Sequence, residues 1–340
     1  MNVLHKLQAG ALLLSALLGA GSASAQSFCV YDPLGVNGDY YSMARDYQLA
    51  VKRLNVNLTL SLYGDDKQLD SDFKAGKCDM ASMVGMRARQ YNLFTGTLDA
   101  PSVLENYAEV RAVMDLVAAP RMAGFMRDGG IEVVGVIPLG AAYAIVADRS
   151  INSLDRAAGK RVAVMNWDHT QTLMARELAA APVPADVMSM GDMFKRGEVD
   201  VVVSPLQLYR AQEFDRGVAH HVGIVRRPLF QLSMQVLTHA ERFPDGFGQA
   251  SREYMARQAD HALGIVHNQE AAIDNRSWIF AGSGEVAKWN STMRGFLARM
   301  ASTGYFDRRM LAVLQQVRCE NGADEPACSD GSGQNMVSLR

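Results

Sequence analysis

Phe73-Lys74-Ala75-Gly76-Lys77-Cys78-Asp79 runs into the apolar Met80-Ala81-Ser82-Met83-Val84, and Phe194-Lys195-Arg196-Gly197-Glu198-Val199-Asp200 runs into Val201-Val202-Val203. Both stretches say the same thing physically. A helix ends, a glycine takes the left-handed position just beyond it, and the chain turns into a buried strand. Polar or small residues close each strand: Gly85-Met86-Arg87 in the first copy and Ser204-Pro205-Leu206 in the second.

The flanks repeat as well. A strand at 28–31 leads into Asp32-Pro33-Leu34-Gly35, and one at 161–165 leads into Asn166-Trp167-Asp168. Helical spacing follows each, at 40–54 and 170–180. Two strand–helix–strand series predict an α/β fold of two lobes, each a mainly parallel sheet flanked by helices. Between the series, 133–136 and 143–146 read as strands crossing from lobe to lobe. A further strand is expected at 231–238, then helices at 248–267, 285–302 and 307–317.

The N-terminus is set apart from this pattern. A basic start at 1–6, an apolar run at 7–21 and the small-x-small Ala23-Ser24-Ala25 make a cleavable secretory signal, with Gln26 first in the mature chain. The domain map is a signal peptide at 1–25, a first lobe at 26–146 plus about 231–275, and a second lobe at 147–230. C-terminal helices at 276–320 pack across the lobes, and 321–340 is a flexible tail.

A hydrophobic content of 49% and a net charge of -2 exclude a nucleic-acid binder with a basic stripe, and also a disordered acidic chain. Export makes the four cysteines disulfide candidates, and three pairings are formally open. Cys319 with Cys328 would staple the tail. Cys29 with Cys78 would join neighbouring parallel strands, because each opens one.

Short motifs point to a known family. Ile151-Asn152-Ser153-Leu154-Asp155, Gly159-Lys160-Arg161-Val162-Ala163-Val164 and Gly197-Glu198-Val199-Asp200 together resemble the centre of the solute-binding proteins of TRAP transporters. Gly76-Lys77-Cys78-Asp79-Met80-Ala81 is similar to an earlier element of that family, and Glu241-Arg242-Phe243-Pro244 to its return segment. The resemblance implies a type II-like periplasmic-binding-protein fold and a monomer. It also implies capture of a small polar or anionic organic ligand for a membrane permease. One departure marks a divergent member. Ala163 aligns where the family carries an Arg that grips a substrate carboxylate in bidentate fashion, and Arg161 lies at the far end of the same strand.

Ligands of open parallel sheets bind beyond the carboxyl ends of the strands. That rule selects four loops. Asp32, Asn37, Asp39 and Tyr40 are candidates in the first, and Arg87 (with Arg89 close by) in the second. Asn166, Trp167, His169 and Thr170 come from the third, and Ser204 from the fourth. They offer acceptors, a guanidinium fork and flat faces. Free backbone N–H groups after Asn166 are a further expected anion site.

No Gly-x-Ser-x-Gly, His-Glu-x-x-His or phosphate-cradling loop occurs, so no catalytic role and no cofactor are expected; an unfamiliar hydrolase is the distant rival. His220-His221 reads as a surface pair, not a metal site, and the nineteen methionines as core filler. A periplasmic sensor subunit docking on a membrane receptor is the alternative to transport, since both use the same closure.

Overall fold

The computed structural model describes residues 25–216, 221–280, 282–322 and 328. The expected signal peptide up to residue 24, His220 and most of the expected tail lie outside the described residues.

The first series is β1 (Gln26–Tyr31), α1 (Asp39–Ala50), β2 (Leu58–Tyr63), α2 (Asp66–Lys74) and β3 (Met80–Val84). Helices α3 (Gly85–Ala88), α4 (Leu93–Gly96) and α5 (Tyr107–Ala118) follow, then strands β4 (Arg127–Asp128) and β5 (Ile131–Val146). After α6 (Leu154–Ala157) comes the second series: β6 (Arg161–Met165), α7 (His169–Glu177), β7 (Ala181–Ala185), α8 (Met190–Lys195) and β8 (Val201–Pro205). The chain continues through α9 (Gln207–Ala211), β9 (Gly223–His239), α10 (Phe247–Arg257) and α11 (Ala259–Ala271). It closes with β10 (Trp278–Ile279), α12 (Ser283–Ser302) and α13 (Arg308–Glu320).

The main strand order is β2-β1-β3-β9-β5-β8-β6-β7, which reads as two copies of one pattern meeting back to back. β1 lies parallel between β2 and β3, and β6 parallel between β7 and β8. Each triplet then pairs antiparallel with one of two long strands, β3 with β9 and β8 with β5. β5 and β9 pair with each other from Ile131–His239 to Val146–Gly223, through register breaks on both sides of Pro138–Gly140. Together they join the two triplets into one sheet.

The sequence echo is a structural repeat down to single bonds. Gly76 and Gly197 sit at φ +71 and +68. Their N–H groups donate to the carbonyls of Phe73 and Phe194, while Lys77 and Glu198 donate to Asp72 and Met193, which satisfies the orphan carbonyls of both helix ends. The aspartate that closes each motif does one further job. Asp79 Oδ2 accepts from the backbone N–H of Ser27 at 2.7 Å, and Asp200 Oδ2 from that of Arg161 at 2.8 Å. Each carboxylate thereby pins the start of the neighbouring central strand.

Three expectations need correction. The runs at 133–136 and 143–146 are one continuous strand, because Pro138 and Gly140 bulge the ladder without ending it. The strand expected at 231–238 begins at Gly223. The helix expected at 248–267 is broken at Gln258, which caps α10 and opens α11.

Cys29 bonds Cys78, and Cys319 bonds Cys328. The largest core cluster joins Phe28, Leu69, Met83 and Leu237 to Trp289, Phe296 and Val313 of the last two helices. A second surrounds Phe194, Phe214 and Val202. Helix α12 touches both halves: Lys288 pairs with Asp155 and Arg299 with Glu177, while Trp289 Nε1 donates to Ser102 Oγ at 2.6 Å.

Candidate functional site

Burial of β1, β3, β6 and β8 leaves their carboxyl ends as the places where side chains can face an open volume. Tyr31, Val84, Met165 and Ser204, at or next to those ends, line a chamber of about 80 Å³ between the lobes. Asp66, Leu139, Gln171 and Gln207 add to its wall, which is otherwise largely methionine and valine. Outside it lies an open vestibule of about 350 Å³, lined by Lys74, Arg87, Arg89, Trp167, His169, Thr170 and Tyr305 among others. Trp167 belongs to both volumes and forms part of the partition.

The partition is electrostatically unusual. Arg87 is only 5% exposed. Its Nε donates to Asp66 Oδ2 at 2.7 Å and its Nη1 lies 3.7 Å from Asp70 Oδ2. The guanidinium carbon sits 4.0 Å from the Trp167 ring centroid, so a first-lobe cation lies over a second-lobe aromatic face. Two donors at this junction are buried without an acceptor, Arg87 Nη2 and Trp167 Nε1. Each such donor costs about 1–3 kcal/mol while it stays unpaired. Burial raises the Asp66 carboxyl above its ordinary value, and the Arg87 contact pulls it back. Burial, reinforced by Asp66, holds the Tyr31 hydroxyl far above the usual phenol range.

A second bridge closes the cleft. Arg89 Nη2 donates to Asp168 Oδ1 at 2.7 Å and to Thr170 Oγ1 at 3.1 Å. The Asp168 side chain is fully buried, and the same Oδ1 accepts from the Thr170 backbone N–H and hydroxyl. The expected anion site after Asn166 is therefore occupied by the protein: Asp168 caps α7 itself. Gln171 Nε2 also reaches Met86 Sδ at 3.2 Å across the lobes.

The ten candidate residues divide clearly. Arg87, Trp167, His169, Thr170 and Ser204 come together around the two volumes. Asp32 turns inward, and its carboxylate accepts from the N–H groups of Leu34 and Tyr41. The Tyr40 hydroxyl donates to the Leu139 carbonyl, and Asp39 accepts from Gln269. Asn37 and Asn166 are exposed. These five line neither volume. Asp66 and the Arg89–Asp168 bridge were missed, although the same strand-end rule applied to β2 points to Asp66. Ala163 is buried beside Met165 and Tyr143, and Arg161 forms a bidentate pair with Asp200 at the far end of β6.

The profile of the solute-binding protein AdeT 1/2 family matches residues 49–331. The chain belongs to that family. A relative from Acinetobacter baumannii, described as probable solute-binding protein AdeT1, is 34% identical over 300 residues, covering 88% of this chain and 99% of its own. Among solved structures, a TRAP periplasmic solute-binding protein from Ralstonia eutropha with bound (S)-2-acetolactate aligns with a TM-score of 0.70 at 11% identity, covering 87% of this chain and 99% of that one. One from Rhodoferax ferrireducens with bound malonate gives 0.69 at 14%, covering 88% and 100%. The AdeT-family chain is thus a solute-binding protein with the two-lobed fold of the TRAP binding proteins, as the divergent resemblance implied.

Proposed function

We propose that this AdeT-family protein is exported to the periplasm and captures a small organic solute between its lobes, with its acceptor at the Arg87–Trp167 partition and its body in the inner chamber, for delivery to a membrane permease, without chemical conversion. The solute has a compact apolar body and at least one acceptor group, such as a carboxylate or carbonyl. The observation that carries this reading is the pair of buried, unpaired donors, Arg87 Nη2 and Trp167 Nε1, set against each other from opposite lobes. An acceptor delivered there relieves both at once, and only with the lobes together. The apolar wall supplies the rest of the binding energy. Structural neighbours holding (S)-2-acetolactate and malonate fit the same class of ligand. In this scheme Arg87 takes over from the carboxylate-binding Arg that Ala163 replaces. We further place the lobe boundaries within β5 and β9, which both halves share.

The test is a thermal-shift and calorimetry screen of residues 26–340 against organic acids, keto acids, amides and small aromatics. A ligand at about a hundred times its Kd adds about 2.7 kcal/mol. Arg87→Gln and Trp167→Phe are each expected to weaken the hit at least tenfold, about 1.4 kcal/mol or more. A screen without a hit, or a hit indifferent to both substitutions, sinks the assignment.

A further inference from the structure

A larger cavity of about 140 Å³ adjoins the inner chamber, walled by Ala144 of β5, Ala163 of β6, Val203 of β8, Leu232 of β9, Met174 of α7 and Trp289 of α12, among others. Met86, Gln171, Val203 and Leu232 line both volumes, so the two are neighbouring parts of one interlobe site. Their shared wall holds a contact in which Gln171 Nε2 donates to Met86 Sδ at 3.2 Å. A thioether is a weak acceptor on an unbranched, flexible side chain, so this contact yields readily to a ligand.

The two parts differ in chemistry. At the partition stand the unpaired donors Arg87 Nη2 and Trp167 Nε1. Further in, polar groups are already engaged. Gln171 Oε1 accepts from the Met165 N–H at 2.9 Å, and Ser204 Oγ donates to the Pro205 carbonyl at 3.1 Å. Of the charged side chains lining the larger cavity, Glu285 accepts from the Leu154 N–H at 3.1 Å. Arg227 donates through Nη2 to Asn290 Oδ1, while its Nε is buried without an acceptor. The rest of the wall is mostly alanine, valine and leucine. An apolar cavity of about 150 Å³ accepts a molecule the size of benzene. A polar group carried into such a space loses its hydration without gaining a partner.

We infer that the solute of this site is an amphipathic monocarboxylate, aryl-alkyl or medium-chain aliphatic, whose carboxylate meets Arg87 and Trp167 and whose apolar tail passes Met86 and Gln171 into the larger cavity. The inference rests on the proposed function and extends the ligand beyond the body held in the chamber. Ala163 is then a specificity residue. Its methyl group leaves the space that the tail fills, and a longer side chain at that position shortens the ligand the site accepts.

The experiment measures Kd by calorimetry for butyrate, hexanoate, octanoate, phenylbutyrate and the dicarboxylate suberate on the mature chain, residues 26–340. Each methylene added between butyrate and octanoate should tighten binding about fourfold, the ratio expected for one buried CH₂. Phenylbutyrate should likewise bind more tightly than butyrate. Suberate matches octanoate in length but carries a second carboxylate into the apolar space, so it should bind about tenfold more weakly or worse. Ala163→Leu should remove the gain beyond butyrate and leave butyrate itself unchanged, whereas Arg87→Gln should weaken the whole series by a similar factor. Should Ala163→Leu fail to fold, the chain-length series and the suberate comparison on the parent still decide. Suberate binding as tightly as octanoate would place a second acceptor site at Arg227 and overturn the apolar tail. If butyrate binds through Arg87 with no gain for longer chains, the tail is refuted and the proposed function stands. If no member of the series binds, the tail is refuted and the proposed function rests on a hit from its own broader screen. Octanoate binding indifferent to both Arg87→Gln and Trp167→Phe sinks both readings.

Discussion

Asp99 is a buried carboxyl satisfied on one oxygen alone. It is fully enclosed, accepts from the Ser233 N–H and hydroxyl through Oδ1, and leaves Oδ2 without a partner. Burial pushes its carboxyl up to about 7. The folded chain therefore holds a proton that the unfolded chain, near 3.8, has released. Stability falls as pH rises from about 4 to about 7 and is flat beyond, because the folded state binds more protons in that window. Asp99→Asn keeps the Oδ1 acceptor and removes the titration. Urea denaturation at either end of the window should show the variant gaining on the parent by at most about 4 kcal/mol at the upper end. An unchanged pH slope in the variant would assign the proton elsewhere. At this same scale Asp79 and Asp200 show that the repeat holds where one carboxylate must bind one strand-end N–H.

At the scale of elements, the disulfides act on unequal loops. Cys29 and Cys78 are 49 residues apart and tie β1 to the start of β3; Cys319 and Cys328 are 9 apart. Chain entropy gives about 4 kcal/mol for the long loop and about 2.6 for the short one. Denaturant midpoints of the two Cys→Ala double variants should rank in that order, and equal losses would refute the entropic account. The strands found in the sequence were those with simple physics. β3 and β8 are buried apolar runs entered through Gly-x-x-Asp. Among the strands missed, β2 and β7 are edges. β2 is half exposed, and β7 carries Pro182 and Pro184, which an edge strand tolerates because it need not donate on its outer side. Losing β2 from the reading also lost Asp66 from the site.

At the scale of the whole molecule, the Arg89–Asp168 pair is a buried ion pair across the cleft, beside the Arg87–Trp167 and Gln171–Met86 contacts. Arg89 is the partner of a fully enclosed Asp168, and removing one member of such a pair costs about 3–5 kcal/mol. Arg89→Ala should shift the population toward open lobes, seen as a larger radius of gyration by X-ray scattering without ligand. Its apparent ligand affinity should fall by about ten- to a hundredfold, in proportion to the loss of the closed state. Arg89→Ala with Asp168→Ala should recover part of that loss, since no uncompensated charge stays buried. Scattering identical to the parent would place the control of closure in β5 and β9 instead.

By itself the sequence determined the two α/β halves and the glycine-terminated helices, and among three open disulfide pairings it favoured the one that forms. Each of these rests on local rules: periodicity, a left-handed turn, or the distance between two neighbouring strands. Only the tertiary structure decided which residues of the strand-end loops face the cleft. It turned Asp32 and Tyr40 inward, filled the start of α7 with Asp168, and brought Arg87 onto Trp167 from 80 residues away along the chain. The reason is that a side chain's direction at a strand end is set by what packs against it from the other lobe, and the linear spacing of residues does not contain that information.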